Sequence, residues 1–340
     1  MSDQTNIDNV YYNVVISSDN SVDKSSDGFP LANFRENRTQ AIIEHPEDWE
    51  LAIERFKIPT FSIPIFVWRE NVYEVRMSYN GTTINKFLQF NPDPLSQRLY
   101  GKVVYNYQQF IDSINDALAD AFTDLKTAEP LAPPTEAPFV TYDGRTQLCT
   151  LYGEQLYNNA VGAPDTIAVD FNEQLFFLFP SWAAYSKFGV TPDSIYYELV
   201  IKSNRTNETT YNGKPYYTML QEYSTLALWS DLQQVIFETS TIPVVPENNS
   251  GQINITNQIV TDFEPLSQTA VRDALQFFPQ GPLRWYSLKS KKPIRSIDIQ
   301  VKWKTKSGEV LPVYVFPDQI PISVKIQFRR KVKYEDDADY

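Results

Sequence analysis

The sequence is poor in the residues that do chemistry. Its 340 residues include one cysteine, Cys149, and one histidine, His45. A single cysteine excludes an internal disulfide and any cysteine-rich metal site, and it fits a chain folded in a reducing compartment. A single histidine leaves no Cys/His zinc spacing and no nucleophile–base pairing to recognise. No G-x-S-x-G elbow or H-E-x-x-H motif occurs, and Gly213-Lys214 lacks both the upstream glycine and the following hydroxyl residue of a phosphate loop. His45, beside Pro46 in a charged turn, reads as a surface residue. Cys149, between Leu148 and Leu151 in an expected strand, reads as a buried, inert thiol. The expectation is a protein with no catalytic, cofactor or metal residues, and no enzyme.

Long apolar runs are missing as well. None approaches the ~18 residues of a membrane helix, so no membrane span is expected. Residues 1–26 are polar, with no apolar core for a signal peptide, which implies synthesis in the cytosol. Asn-x-Ser/Thr triplets such as Asn204-Arg205-Thr206 are then chance matches. Basic excess is also absent: 30 Lys+Arg against 42 Asp+Glu give a net charge of −12, which argues against nucleic acid as a primary or sequence-specific partner. Glycine is scarce at 11. The 23 prolines, 21 Tyr, 21 Phe and 6 Trp favour β structure with stiff connections.

The organising stretch runs from Leu283 to Lys331. Ile297, Ile299, Val301 and Trp303 alternate with Asp298, Gln300 and Lys302, giving a strand with one apolar and one wet face. Ser307-Gly308 supplies turn chemistry, and Val310 to Phe316 reads as a returning strand, apolar on both faces. Ile322, Val324, Ile326 and Phe328 then alternate with Ser323, Lys325, Gln327 and Arg329. Such strands require a second sheet from earlier in the chain, which makes the fold an all-β sandwich.

Upstream, Trp49 to Ile58, Val72 to Tyr79 and Thr82 to Phe90 read as strands, the last two joined at Asn80-Gly81, the best hairpin signal. Leu99 to Tyr105 is another strand. Tyr107 to Lys126 is an amphipathic helix, with Phe110, Ile111, Ile114, Leu118, Phe122 and Leu125 on one stripe and Asn106 with Gln109 imitating a capping box. Residues 128–138 hold four prolines and form a linker. Phe139 to Tyr152 reads as a hairpin, Phe171 to Phe179 as a short helix or strand, and 195–201, 216–223 and 235–239 as strands around a polar loop from Asn204 to Lys214.

Three charged or sticky features remain. Asp112, Asp116, Asp120 and Asp124 stack at four-residue spacing down the helix, so either solvent, a basic neighbour or a divalent cation offsets their repulsion. Residues 1–28 place VYYNVVI (Val10 to Ile16) on the polar tether Ser17 to Gly28, either a frayed terminus or a flexible arm that adds a strand to a neighbour. Tyr11, Tyr12, Val14 and Ile16 are its interface candidates. Arg329 and Arg330, in the basic knot 329–333 ahead of the acidic tail 334–340, are the others, fraying into solvent or pairing with another subunit.

Two stretches carry a resemblance. FPLANFRENRTQAIIEHPEDWELAIERFKIP (Phe29 to Pro59) and IDIQVKWKTKSGEVLPVYVFPDQIPISVKIQFRRK (Ile297 to Lys331), about a fifth of the chain together, resemble the minor capsid, or penton, proteins of the virophage, polinton-like and adintovirus lineage. The resemblance implies a single jelly roll, pentamers at the vertices of an icosahedral shell, a major capsid protein as partner, and the virion as location. Eight strands need roughly 150–200 residues, so a surplus remains for an inserted β-rich domain. The resulting division is residues 29–126 and 264–333 for the roll, with helix 107–126 in its first part, and 127–263 for the insertion. Alternatives are a carbohydrate- or receptor-binding sandwich, whose footprint is exposed aromatics beside acids, and a glycosidase needing two carboxylates at ~5–9.5 Å.

Overall fold

The computed structural model describes residues 9–26, 28–59, 62–90, 103–157, 166–188, 194–201, 207–244, 257–261, 274–278, 281–317 and 320–331. The chain forms two compact units: one combines residues 1–63 and 231–340, and the other is residues 64–230. The strands of the first segment are β1 (Asn9–Ile16), β2 (Asn33–Asn37) and β3 (Trp49–Pro59). The inserted unit begins with β4 (Phe66–Val67), β5 (Glu74–Tyr79), β6 (Thr82–Phe87), β7 (Val103–Val104) and helix α1 (Tyr107–Ala128). It continues with β8 (Phe139–Asp143), β9 (Leu148–Glu154), β10 (Ala168–Asn172), helix α2 (Glu173–Phe176) and β11 (Ala184–Phe188). It ends with β12 (Ile195–Leu199), β13 (Asn207–Tyr211), β14 (Lys214–Leu220) and helix α3 (Leu226–Trp229). The chain then returns as β15 (Leu232–Thr239), β16 (Asn257–Thr261), β17 (Ala274–Phe277) and β18 (Tyr286–Ser287). It closes with β19 (Ser296–Thr305), β20 (Val310–Pro312) and β21 (Ile322–Arg330).

The first unit is the jelly roll. One sheet is ordered β1-β21-β3-β17, with β18 also on β3, and the other β16-β15-β19-β2, with β20 on β19. The chain passes back and forth between the sheets, so most neighbour pairs are built from distant segments, the exceptions being β15-β16 and β19-β20, and every pair is antiparallel. The alternation in β19 and β21 decides which side is core: Ile297, Ile299, Val301 and Trp303, like Ile322, Val324, Ile326 and Phe328, are all at or near zero exposure. Phe56 of β3 meets Phe237 of β15 across the sandwich at 5.4 Å.

The expected long strand from Val310 to Phe316 is cut short. Pro312 is the last residue in register with β19; Val313 N still donates to Val301 O at 3.3 Å, but Val301 N is taken by Ala32 O at 2.8 Å, so the segment before β2 displaces the rest of the returning strand. Residues 313–315 instead lace onto the segment before β2, with Ala32 N donating to Val313 O at 2.8 Å and Val315 N to Pro30 O at 3.0 Å.

The N-terminal segment corrects the reading of a flexible arm. β1 lies along β21 in continuous register from Asn9↔Arg329 to Ile16↔Ile322 of the same chain. Val14 and Ile16 have no exposed surface and Tyr12 is buried. The polar tether folds back: Leu31 N donates to Asp23 O at 3.0 Å and Val22 N to Asn33 O at 3.1 Å. Residues 1–8, 27 and the acidic tail 334–340 lie outside the described residues.

The boundaries of the insertion are corrected too. It runs from Pro64 to Ser230 in place of 127–263, and helix α1 belongs to it and not to the roll. Its sheets are β11-β12-β10-β5-β6 and β13-β14-β9-β8, with the small pair β4-β7. Asn106 caps α1 by accepting from Gln109 N at 2.7 Å, and the predicted apolar stripe, Phe110 through Leu125, is buried against β5, β6 and β8. The Asn80-Gly81 hairpin is present, with φ of 49° and 85° at the two turn residues. Asn172 ends β10 and caps α2, accepting from Leu175 N at 3.1 Å, so the stretch from Phe171 is strand first and helix second. Of the expected strand Leu99 to Tyr105, residues 103–105 fall within the described residues, and the strand there is β7.

Candidate capsid-assembly surfaces

Strand alternation divides the sequence-predicted interface residues into two groups. Tyr12, Val14 and Ile16 point into the roll and serve the core. Tyr11 and Val15 point outward and are 51% and 46% exposed. Arg329 emerges on the same outer face of the β1-β21-β3 sheet as Tyr11, because Asn9↔Arg329 and Tyr11↔Gln327 are paired positions.

This outer face is a connected polar and aromatic strip. Lys325 Nζ lies 4.4 Å from the Tyr11 ring centre and 2.8 Å from the Glu54 carboxylate. Gln327 Nε2 donates to Asn9 Oδ1 at 3.1 Å and to the Tyr11 hydroxyl at 3.3 Å. Arg329 donates from Nε and Nη2 to Glu50 Oε2 at 3.1 and 3.0 Å, and its guanidinium covers the Trp285 ring at 3.7 Å. Tyr, Trp and Arg on a half-exposed sheet face match the composition of protein–protein contact surfaces.

The basic knot does not fray over its described part. Arg330 lies over Trp49 at 5.7 Å, and Lys331 Nζ donates to the carbonyls of Glu47 at 2.7 Å and Leu288 at 3.2 Å. Residues 332 and 333 lie outside the described residues.

At the rim of the sandwich, the Tyr12 hydroxyl donates to Glu36 Oε2, with Arg38 stacked over the Tyr12 ring at 5.2 Å. Burial and the Glu36 carboxylate push the Tyr12 hydroxyl up to about 12, and the same bond, with that of Arg38, holds Glu36 below the usual carboxylate range.

His45 is exposed, 3.9 Å from Glu47. Cys149 is fully buried, and burial pushes its thiol up to about 12, so no thiolate is available at neutral pH. On the acidic stripe, Lys86 Nζ sits 2.6 Å from Asp124, and Asp112 accepts from Gln108 at 2.8 Å. A basic neighbour is therefore in place, and among the described residues no group of three or more His, Cys, Asp or Glu is set to hold a metal ion.

Glu136 and Glu154 are two carboxylates brought together in the inserted unit, sharing Lys214 at 2.6 and 3.6 Å. Lys214 and the Tyr216 hydroxyl hold Glu136 below the usual range, the opposite of what a protonated general acid needs. Sequence reasoning missed this cluster because its members come from three separate segments. It also missed the buried ionic group of the other sheet, where Arg76 Nε and Nη2 both lie 2.7 Å from Asp170 Oδ2, Lys187 pairs with Glu198, and Tyr196 donates to Glu74 at 2.8 Å.

Comparison with known proteins accounts for this combination of a jelly roll and a large insertion. The family model described as Sputnik minor capsid protein V18/19 matches residues 10–330. The uncharacterized protein V18 of Sputnik virophage is 28% identical over 159 residues, an alignment covering 39% of this chain and 90% of that protein. A chain in the cryo-EM structure of the Sputnik virophage superimposes with a TM-score of 0.73 at 25% identity, covering 96% of this chain and 99% of that one. The crystal structure of the mavirus penton protein gives a TM-score of 0.66 at 14% identity over 95% of this chain and 99% of that one, which shows a shared fold. This chain belongs to the Sputnik minor capsid protein V18/19 family and is a structural protein of a viral capsid.

Proposed function

We propose that the chain is the penton of its virion: five copies close into a ring at each icosahedral vertex and seat against the major capsid protein. The observation that carries this reading is the outer strip of the β1-β21-β3 sheet, where Tyr11, Val15, Trp285 and Arg329 offer an aromatic and cationic surface to another subunit. The fold shared with the mavirus penton protein, over both units, supports the same role. On this reading the chain catalyses nothing, and its function lies in the flanks it presents to its copies.

Native mass spectrometry and negative-stain imaging of the purified full chain, alone and co-expressed with the major capsid protein of the same virus, test the assignment. The expected species is a ring of five that enters particles, and Tyr11→Glu weakens the ring while leaving the thermal midpoint in place. A strict monomer that never associates with capsid protein overturns it.

A further inference from the structure

The β13-β14-β9-β8 sheet of the inserted unit has two unlike faces. One is sealed into the core through Val140, Cys149, Leu151, Tyr217 and Met219. The other is aromatic and hydroxyl-rich. Phe139 and Tyr152, directly opposite each other on β8 and β9, stack at 4.9 Å with their rings 2° from parallel. Tyr211, on the edge strand β13, approaches Phe139 at 5.0 Å and Tyr216 at 5.7 Å and is 43% exposed. Tyr216 forms the floor, fully buried, with its hydroxyl donating to Glu136 Oε2 at 2.5 Å. Lys214 Nζ completes the rim, 2.6 Å from Glu136 Oε1 and 2.8 Å from Thr135 Oγ1. By register, Thr209 lies opposite Tyr216 and Thr218 opposite Tyr152, adding hydroxyls to the same face.

We infer that this face binds a neutral carbohydrate. A pyranose presents apolar C–H edges to aromatic rings and a belt of hydroxyls to groups that both donate and accept. Tyr211 supplies the half-exposed ring on a hairpin fixed by the Asn212-Gly213 turn, where φ is 50° and 78°. Glu136 and Lys214, each 39% exposed, neutralise one another, and each Glu136 oxygen accepts one bond, from Lys214 or Tyr216, leaving a second lone pair for a ligand hydroxyl. The net charge of −12 on the chain disfavours sulfated, sialylated or phosphate-bearing ligands, which selects an uncharged sugar. This inference stands independently of ring formation, since all of its residues belong to the inserted unit.

The test uses the full chain and, as probes, cellohexaose, mannohexaose, N-acetylchitohexaose and the anionic hyaluronan hexasaccharide, read by saturation-transfer NMR and calorimetry. At least one neutral probe is expected to bind with a Kd below about 10 mM, and hyaluronan is not. Tyr211→Ala weakens binding about tenfold or more, whereas Tyr211→Phe, which keeps the ring, stays within about threefold. Thr209→Lys, opposite Tyr216 on the same face, is expected to block binding sterically while leaving every aromatic side chain in place. Tyr185→Ala, exposed on the other sheet, leaves binding unchanged, and circular dichroism checks that each variant is folded. Failure of every neutral probe, equal binding by folded Tyr211→Ala and the parent, or self-association of the chain through β13 that Thr209→Lys abolishes would each overturn the inference.

Discussion

Asp298 of β19 receives both the backbone N–H and the hydroxyl of Thr241, at 2.9 and 2.7 Å, and so fixes the turn that follows β15. Thr239 and Ser240 add their hydroxyls at 2.7 and 2.5 Å. Burial opposes ionisation of Asp298, but these bonds from Ser240, Thr241 and Thr239 outweigh it and hold the carboxyl at about 2.

An acid-labile contribution to the stability of the roll follows. The folded pKa lies below the unfolded value of ~3.9, so the stabilisation is complete above that value and is lost as pH falls through it toward the folded one, on the order of 2 kcal/mol in all. Asp298→Asn turns an amide donor toward donors and is expected to destabilise at pH 7 by roughly 1–3 kcal/mol. Urea unfolding from pH 2.5 to 7 checks both: the gap between parent and variant narrows at low pH.

β1 is structural, so deleting residues 1–28 should weaken the roll and not merely its assembly. The deletion bares the β21 edge and removes Val14 and Ile16 from the core. Ile16→Ala alone is expected to cost about 2–5 kcal/mol. Thermal melts of both variants as purified chains decide the matter, and a deletion that melts with the parent would restore the arm.

What the sequence made legible was local. The two-residue period of β19 and β21, the stripe and cap of α1 and the Asn80-Gly81 turn each lie within about one element length, and periodicity or a dipeptide reports them directly. The division of the chain was not local. β3 pairs with β21 through Glu50↔Arg329, far apart in sequence, and no short-range pattern marks that pairing. The four prolines of 128–138 therefore looked like the boundary, whereas the observed one falls between Ile63 and Pro64. Asn212-Gly213 carried the same hairpin signal as Asn80-Gly81, but its flanks, NETTY and KPYYTML, are too polar on β13 to read as a strand. The assembly strip was half visible: Tyr11 and Arg329 could be named, but only the register separates them from the inward Tyr12, Val14 and Ile16.

The acidic stripe of α1 is expected to ignore divalent cations. Lys86 already meets Asp124, and the Asp124 and Asp120 carboxylates raise the Lys86 pKa. A calcium titration to millimolar levels should leave the thermal midpoint unmoved. Lys86→Ala is expected to lower the thermal midpoint only slightly, because the pair is solvent-exposed, and added salt should shrink the difference.

The Arg76–Asp170 pair is the buried counterpart and should behave differently. Asp170 is 1% exposed, and both guanidinium bonds reach the same oxygen, while Lys187 stands 4.0 Å from the other. Removing the arginine leaves a carboxylate without solvent and with only that distant ammonium to offset it. Arg76→Met is therefore expected to destabilise the inserted unit by about 3–5 kcal/mol, with little sensitivity to salt. The double variant Arg76→Met with Asp170→Leu removes the orphaned charge along with its partner and should recover much of the loss. Amide exchange over β5 and β10, which pair through Arg76↔Asp170, reads the effect within this unit. Equal loss in the single and double variants would show that packing, and not the buried charge, sets the cost.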